Sequence, residues 1–92
     1  MSKAKGSRNE RKAVRVLEAA GYSCTKAGGS LGLFDVIAIR SDSIRLLQVK
    51  SNRNAPPHER EQIELFKVPE HCSKEIWIWY DYKRKPAITE IP

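Results

Sequence analysis

The stretch FDVIAIRSDSIRLLQVKSN, residues 34–52, predicts a β-hairpin around which the rest of the chain is organised. Two apolar runs, Phe34 to Ile39 and Ile44 to Val49, flank a polar Ser-Asp-Ser tripeptide, and this pattern is typical of two antiparallel strands joined by a turn. Side chains alternate between the two faces of a strand, so Gln48 and Lys50 project from the same face.

Asp35 stands at the start of the first run, and the length of the turn decides whether it joins the other two polar residues. Residues directly opposite each other in an antiparallel pair share a face. A two-residue turn within residues 41–43 places Asp35 on the face of Gln48 and Lys50. A symmetric three-residue turn places it opposite Val49 and splits the three groups across the sheet, unless a bulge intervenes.

Length and composition limit the class of protein. The 92 residues predict one domain with a single modest core. The formal charge of +6 makes a polyanion the first partner to consider, and the alternative is an ordinary solvated basic surface. Cys24 and Cys72 are too few and too far apart for a zinc motif or a disulfide scaffold, which favours a reduced, cytoplasmic protein. The sequence contains neither a membrane-spanning apolar run nor a signal-peptide pattern.

The first helix is predicted to start at Ser7, after a flexible basic tail over residues 1–6, and to stop at Gly21. Apolar side chains recur three or four residues apart along it, as in an amphipathic helix. Ser7 followed by Glu10 fits a capping box, in which both side chains bond free backbone N–H groups of the first turn. A carboxylate in that turn could also face a metal ion, and both roles remain open for Glu10.

The other elements complete a mixed fold. The sequence predicts strands over 22–27, 74–82 and 87–91, a glycine-rich loop over 28–32, and a second helix over 58–67. The loop lacks the lysine and spacing of a phosphate-binding loop, so a flexible connection is favoured. The strand over 74–82 is aromatic and apolar on both faces, which indicates cover on both sides; a subunit interface or stacking on bases is the alternative. The order αβββαββ predicts an α/β fold with a mixed sheet of about five strands flanked by two helices.

A helix with an early Glu, a Gly/Ser loop, FDVIAI and LLQVKS follow one another in this chain. That order is similar to the PD-(D/E)XK nuclease superfamily and most resembles the archaeal-type Holliday junction resolvases, over residues 7 to about 67. The resemblance implies a restriction-endonuclease-like domain over 1–92 and a metal-dependent endodeoxyribonuclease that acts on branched or four-way-junction DNA. It also implies a symmetric homodimer, for which the aromatic strand or the second helix offers an apolar surface.

The resemblance implies roles for particular residues. Asp35 matches the motif aspartate, a metal ligand, and Lys50 matches the motif lysine. Glu10 matches the acidic residue of the first helix, and Ser30 falls where resolvases have a functional serine. The implied cofactor is Mg²⁺, for which Mn²⁺ can substitute.

Gln48 departs from the motif, because the family usually has Glu or Asp at this position. An amide oxygen can coordinate Mg²⁺ but brings no charge, so we expect weaker metal binding by Asp35, Glu10, Gln48 and the main-chain carbonyl of Val49. Mrr-type restriction endonucleases, in the same superfamily, look similar in having Gln here with activity retained.

The chemistry explains these residue types. A divalent cation polarises the phosphate and lowers the pKa of its bound water, while the Lys50 ammonium would orient that water and offset negative charge in the transition state. Basic side chains of the first helix and the loops near the hairpin are predicted to contact phosphates: Lys3, Lys5, Arg8, Arg11, Lys12, Arg15, Lys26 and Arg53. Two alternatives stay open, another nicking or restriction-like nuclease and a catalytically silent DNA-binding module, for which Gln48 is the main argument.

Overall fold

The structure, a computed structural model, describes residues 2–27 and 32–92, with side chains described from residue 7 onward. Its elements are α1 (Ser2–Ala19), β1 (Ser23–Lys26), β2 (Val36–Arg40), β3 (Ser43–Ser51), α2 (Pro57–Leu65), β4 (Cys72–Trp79) and β5 (Ala87–Ile91). This is the order αβββαββ that the sequence predicts, with boundaries that shift by a few residues. Within the described residues, no helix combines the length and apolar character needed to cross a membrane.

The five strands form one sheet in the order β1-β2-β3-β4-β5. All neighbouring pairs are antiparallel except β3 and β4, which run parallel and are connected through α2. A parallel pair needs such a crossover because both strands must start at the same edge of the sheet. The predicted α/β class with a mixed sheet and two helices is therefore confirmed.

The central hairpin has the two-residue turn that brings the polar groups together. Arg40 pairs with Ser43, which leaves Ser41 and Asp42 as the turn. The regular register ends where Val36 pairs with Leu47, and beyond it the backbone N–H of Asp35 donates to the carbonyl of the same Leu47 at 2.7 Å. Phe34 and Val36 pack on opposite faces of the sheet, whereas regular alternation would place them on the same face, so Asp35 lies at a bulge-like irregularity. The predicted two-residue turn is confirmed.

The core lies on both faces of the sheet. Leu47 packs on the face covered by α1, and its neighbour Leu46 packs on the opposite face with Ile63 of α2. The α1 face also holds Ala13, Leu17, Val36, Trp77 and Trp79, and the α2 face holds Phe34, Ile76, Ile78 and Ile91. The aromatic strand is thus covered on both sides, as predicted. Its two tryptophans are no more than 3% exposed, so neither is available for a subunit interface or for stacking on bases.

Helix α1 begins five residues before the predicted start, so residues 2–6 are helical where a tail was predicted. Lysine and alanine favour helix, and a single glycine costs only about 1 kcal/mol, too little to end it. Ser7 therefore lies inside the helix and the predicted capping box is wrong. Its Oγ instead accepts hydrogen bonds from Arg11 at 3.3 Å and Lys26 at 3.2 Å. The predicted stop is confirmed, since Gly21 has a φ of 93°.

A buried lysine closes the C-terminus of α2. The Nζ atom of Lys74 donates to the carbonyl oxygens of Ile63, Glu64 and Phe66 at 2.8, 3.0 and 2.9 Å. The last carbonyls of a helix have no partner within the helix, and a cation placed there satisfies them and complements the helix dipole. Lys74, on β4, is only 5% exposed, so α2 is fixed to the sheet at this end.

A second buried charge, Glu75, lies on the α1 face of β4. Arg45 donates to both carboxylate oxygens at 2.8 Å, Ser73 donates at 2.6 Å and the Trp77 indole at 2.8 Å. Burial alone would raise the pKa of Glu75, but these hydrogen bonds outweigh it and hold the pKa below its ordinary value. The carboxylate is therefore stable inside the protein only because of its three donors.

Candidate active site

The open end of the hairpin borders a cavity of about 390 Å³. Strand β3 contributes Gln48, Val49 and Lys50 to it, and Asp35 lies just before β2. Helix α1 contributes Glu10, and the first two turns of α2 contribute His58, Glu59 and Gln62. The structure thus brings together the predicted site residues that it describes, apart from those predicted only to bind DNA.

The side chain of Asp35 continues the hydrogen bonding between the two hairpin strands just before β2 begins. Its Oδ2 accepts a hydrogen bond from the backbone N–H of Val49 at 2.8 Å, taking the place of the strand partner that β2 no longer supplies. Burial raises the pKa of Asp35, and the bond from Val49 and the charge of Lys50 only partly oppose this rise. A half-buried carboxylate in this position would be stabilised by a positive charge beside it.

The side-chain amide oxygen of Gln48 is buried without a hydrogen-bond donor in the described part of the chain. The residue is 7% exposed, and its Nε2 donates to the carbonyl of Leu33 at 3.2 Å. Its Oε1 is buried and has no hydrogen-bond partner among the described residues. A buried polar atom without a partner costs free energy, so it marks a position where a further group belongs.

Glu10 reaches the cavity from α1, although that helix packs on the other face of the sheet. The pKa of Glu10 is raised, first by burial and then by the negative charge of Asp35. Lys26 opposes the rise from 3.7 Å. The two carboxylates therefore feel each other's charge, which supports the site role of Glu10 over the capping role.

Lys50 forms an ion pair that the sequence did not predict. Its Nζ lies 2.8 Å from Oε1 of Glu59, and this contact lowers the pKa of the glutamate. Neither His58 nor Glu59 is assigned to the site from the sequence. The feature of the sequence that could have predicted this contact is the short loop after β3, which brings the first turn of α2 back to the end of that strand.

The donors at this end suit a hard divalent cation. Asp35 and Glu10 offer carboxylate oxygens and Gln48 an amide oxygen, which are the ligand types that Mg²⁺ and Mn²⁺ prefer. The carbonyl of Val49 points to the same side of β3 as its N–H, which is the side of Asp35. In the described parts of the chain, no three His, Cys, Asp or Glu side chains gather as a metal-binding group, because the third position is Gln48.

The residues predicted to bind DNA have mixed surroundings. Arg8, Arg11, Arg15, Lys26 and Arg53 are exposed. Lys12 is half-buried, and its Nζ lies 4.9 Å from the ring centroid of Trp79. Ser30 and the side chains of Lys3 and Lys5 lie outside the described residues. The phosphate contacts therefore stay predictions.

The family model of archaeal Holliday junction resolvases (Hjc) matches residues 1–88. Among solved structures, the chain is similar to Archaeoglobus fulgidus Hjc, described as a Holliday junction resolvase from an archaeal hyperthermophile. The TM-score is 0.73 and the sequence identity 21%, over 96% of this chain and 72% of that one. Among curated proteins, none matches this sequence.

Proposed function

The chain belongs to the archaeal Holliday junction resolvase family, and from this premise we propose that it is a divalent-metal-dependent endonuclease that cuts four-way DNA junctions. The observation that supports this most is the convergence of Asp35, Gln48 and Lys50 on one cavity, with a buried, unpartnered oxygen on Gln48. A silent binding module would have no need for that oxygen to remain unsatisfied.

Each residue has a part in phosphodiester hydrolysis. Asp35, Glu10, Gln48 and the carbonyl of Val49 would hold Mg²⁺ or Mn²⁺, which polarises the phosphate and acidifies a bound water. Lys50 brings a positive charge to the phosphate that is attacked and orients the attacking water. Glu59 keeps the flexible side chain of Lys50 at the cavity.

We propose that the active form is a symmetric dimer. A junction is resolved by two cuts, and a chain with a radius of gyration of 12.4 Å has one such site in its described part. Two interfaces were predicted, the aromatic strand and the second helix. Because the side chains of β4 are buried, we favour the second helix, on which Leu65 is 72% exposed. Gel filtration at micromolar concentration is expected to give a dimer, and a monomer would contradict this proposal.

The test of the function compares a four-way junction with a linear duplex of the same sequence. In Mg²⁺ or Mn²⁺, we expect paired nicks near the branch point and much slower cleavage of the duplex. Equal cleavage of both substrates would indicate a nicking or restriction-like nuclease instead. Tight binding without cleavage in either metal would indicate a silent module.

Changing Gln48 to glutamate is expected to strengthen Mn²⁺ binding by about tenfold, on the order of 1.4 kcal/mol. The reason is that a third carboxylate adds charge at the position of the unpartnered oxygen. The measurement is calorimetric titration of the protein with Mn²⁺ in the absence of DNA. Gln62→Glu is the matched control, because Gln62 lines the same cavity from α2 but is exposed. Equal affinities for wild type and Gln48→Glu would show that this side chain does not face the ion.

A further inference from the structure

The turn between β4 and β5 lies at the same end of the strands as the candidate active site. Because β3 and β4 are parallel, both strands end there, and their last residues, Ser51 and Trp79, form a pair. Two hydrogen bonds continue the contact beyond the strands. The N–H of Asn52 donates to the carbonyl of Trp79 at 2.9 Å, and the N–H of Asp81 donates to Oδ1 of Asn52 at 3.0 Å.

An exposed tyrosine projects from this turn on the same face as the catalytic groups. Lys50 pairs with Ile78, and neighbouring residues of adjacent strands share a face. Tyr80, two residues further, packs with the core of that face. The ring of Tyr82 lies 5.5 Å from the ring of Tyr80, so it extends this face toward solvent, where it is 77% exposed.

Several basic residues belong to this turn and to the loop beside it. The Nζ of Lys83 lies 5.8 Å from the ring centroid of Tyr82. Arg84 and Lys85 follow in the same turn, and Arg53 projects from the adjoining loop, all of them exposed. An aromatic ring among cations is the arrangement by which proteins bind unpaired nucleic acid, because the ring stacks on a base and the cations contact the flanking phosphates.

We infer that Tyr82 is a stacking platform for a base exposed at the branch point of the DNA. A continuous duplex hides the faces of its bases, whereas a branch point interrupts the stack. Trp79 is three residues before Tyr82, and extended backbone spans at most about 3.5 Å per residue. The Cα atom of Tyr82 therefore lies within roughly 20 Å of the Cα atom of Lys50, a span of a few nucleotides. This inference rests on the proposed function and adds the residue that would distinguish branched from linear DNA.

The test measures binding to a fluorescein-labelled four-way junction and to a linear duplex in EDTA, where no cleavage occurs. Tyr82→Ala is expected to lower the junction affinity by about 5- to 150-fold, the range of one base-aromatic stack, and the duplex affinity by much less. Tyr82→Phe keeps the ring and is expected to bind the junction like wild type. Ile39→Ala is the matched control, since Ile39 is 51% exposed near the hairpin turn at the other end of β2.

Three results would overturn the inference. The first is a junction affinity of Tyr82→Ala equal to that of wild type. The second is an equal loss in Tyr82→Phe, which would assign the effect to the hydroxyl group. The third is a change of oligomeric state in Tyr82→Ala by gel filtration, which would place the ring between copies of the chain. Wild-type protein that binds the junction but does not cleave it would refute the nuclease activity. The binding comparison in EDTA would still test the stacking role of Tyr82, because it does not depend on cleavage.

Discussion

Replacing Asp35 by alanine is expected to slow metal-dependent junction cleavage by about 10³-fold or more, while the protein still binds the junction. The carboxylate lies at the cavity with a raised pKa, and its removal takes away the central charged oxygen donor. The same variant is expected to lose Mn²⁺ binding in a calorimetric titration without DNA. Asp42→Ala is the control, because Asp42 is exposed in the turn at the other end of the hairpin.

Lys50→Ala is expected to show a similar loss of cleavage but to differ from Asp35→Ala in metal binding. In the proposed mechanism its ammonium acts on the phosphate and the water, so Mn²⁺ binding should persist in this variant. Lys67→Ala, with an exposed lysine just beyond α2, is expected to cleave like wild type. Single-turnover kinetics on the junction measure both variants. Cleavage within about tenfold of wild type by either Asp35→Ala or Lys50→Ala would refute the assigned site.

Replacing Arg45 by methionine is expected to destabilise the fold by about 3–5 kcal/mol at neutral pH. The change leaves the carboxylate of Glu75, which is 4% exposed, with two neutral donors in place of a bidentate cation. Urea unfolding followed by tryptophan fluorescence measures the loss. Arg60→Met is the matched control, because Arg60 pairs with Glu64 on the surface of α2 and should cost less than about 0.5 kcal/mol.

The pH dependence of this loss identifies its cause. The pKa of Glu75 is lowered in the folded protein, so the stability it contributes is present above the unfolded value of 4.5 and is lost as the pH falls through the folded value. A protonated carboxyl needs no cation. The difference between wild type and Arg45→Met should therefore shrink as the pH is lowered from about 7 to about 3. A difference that is constant with pH would assign the effect to the packing of the Arg45 side chain.

The centre of the site could be predicted because its geometry is local. The shared face of Gln48 and Lys50 depends on strand alternation, and the approach of Asp35 to them depends on the length of one turn, both of which are visible in a stretch of 19 residues, 34–52. The irregularity at Asp35 itself was not predicted. The order of helices and strands along the chain followed from the spacing of apolar runs. The family relation then names the chemistry that this arrangement serves.

What could not be predicted depends on contacts between distant residues. Glu59 enters the site only because the crossover returns α2 to the end of β3, and its partner Lys50 is nine positions away in sequence. Lys74 reads as a surface lysine at the start of a strand, yet the helix above it makes it a buried cap. The start of α1 was misplaced for another reason: the capping pattern at Ser7 is equally compatible with the interior of a helix.

Helix α2 has nine residues, a length that is only marginally stable alone in water. Each of the two strands it connects sends one lysine to it, Lys50 to the carboxylate in its first turn and Lys74 to its terminal carbonyls. Sliding the helix along its axis would break both attachments at once. The amine of Lys50 thus pairs with a helix that is fixed to the sheet at both ends. A substitution of Lys74 that frees the far end of this helix is expected to displace the candidate site without contacting it.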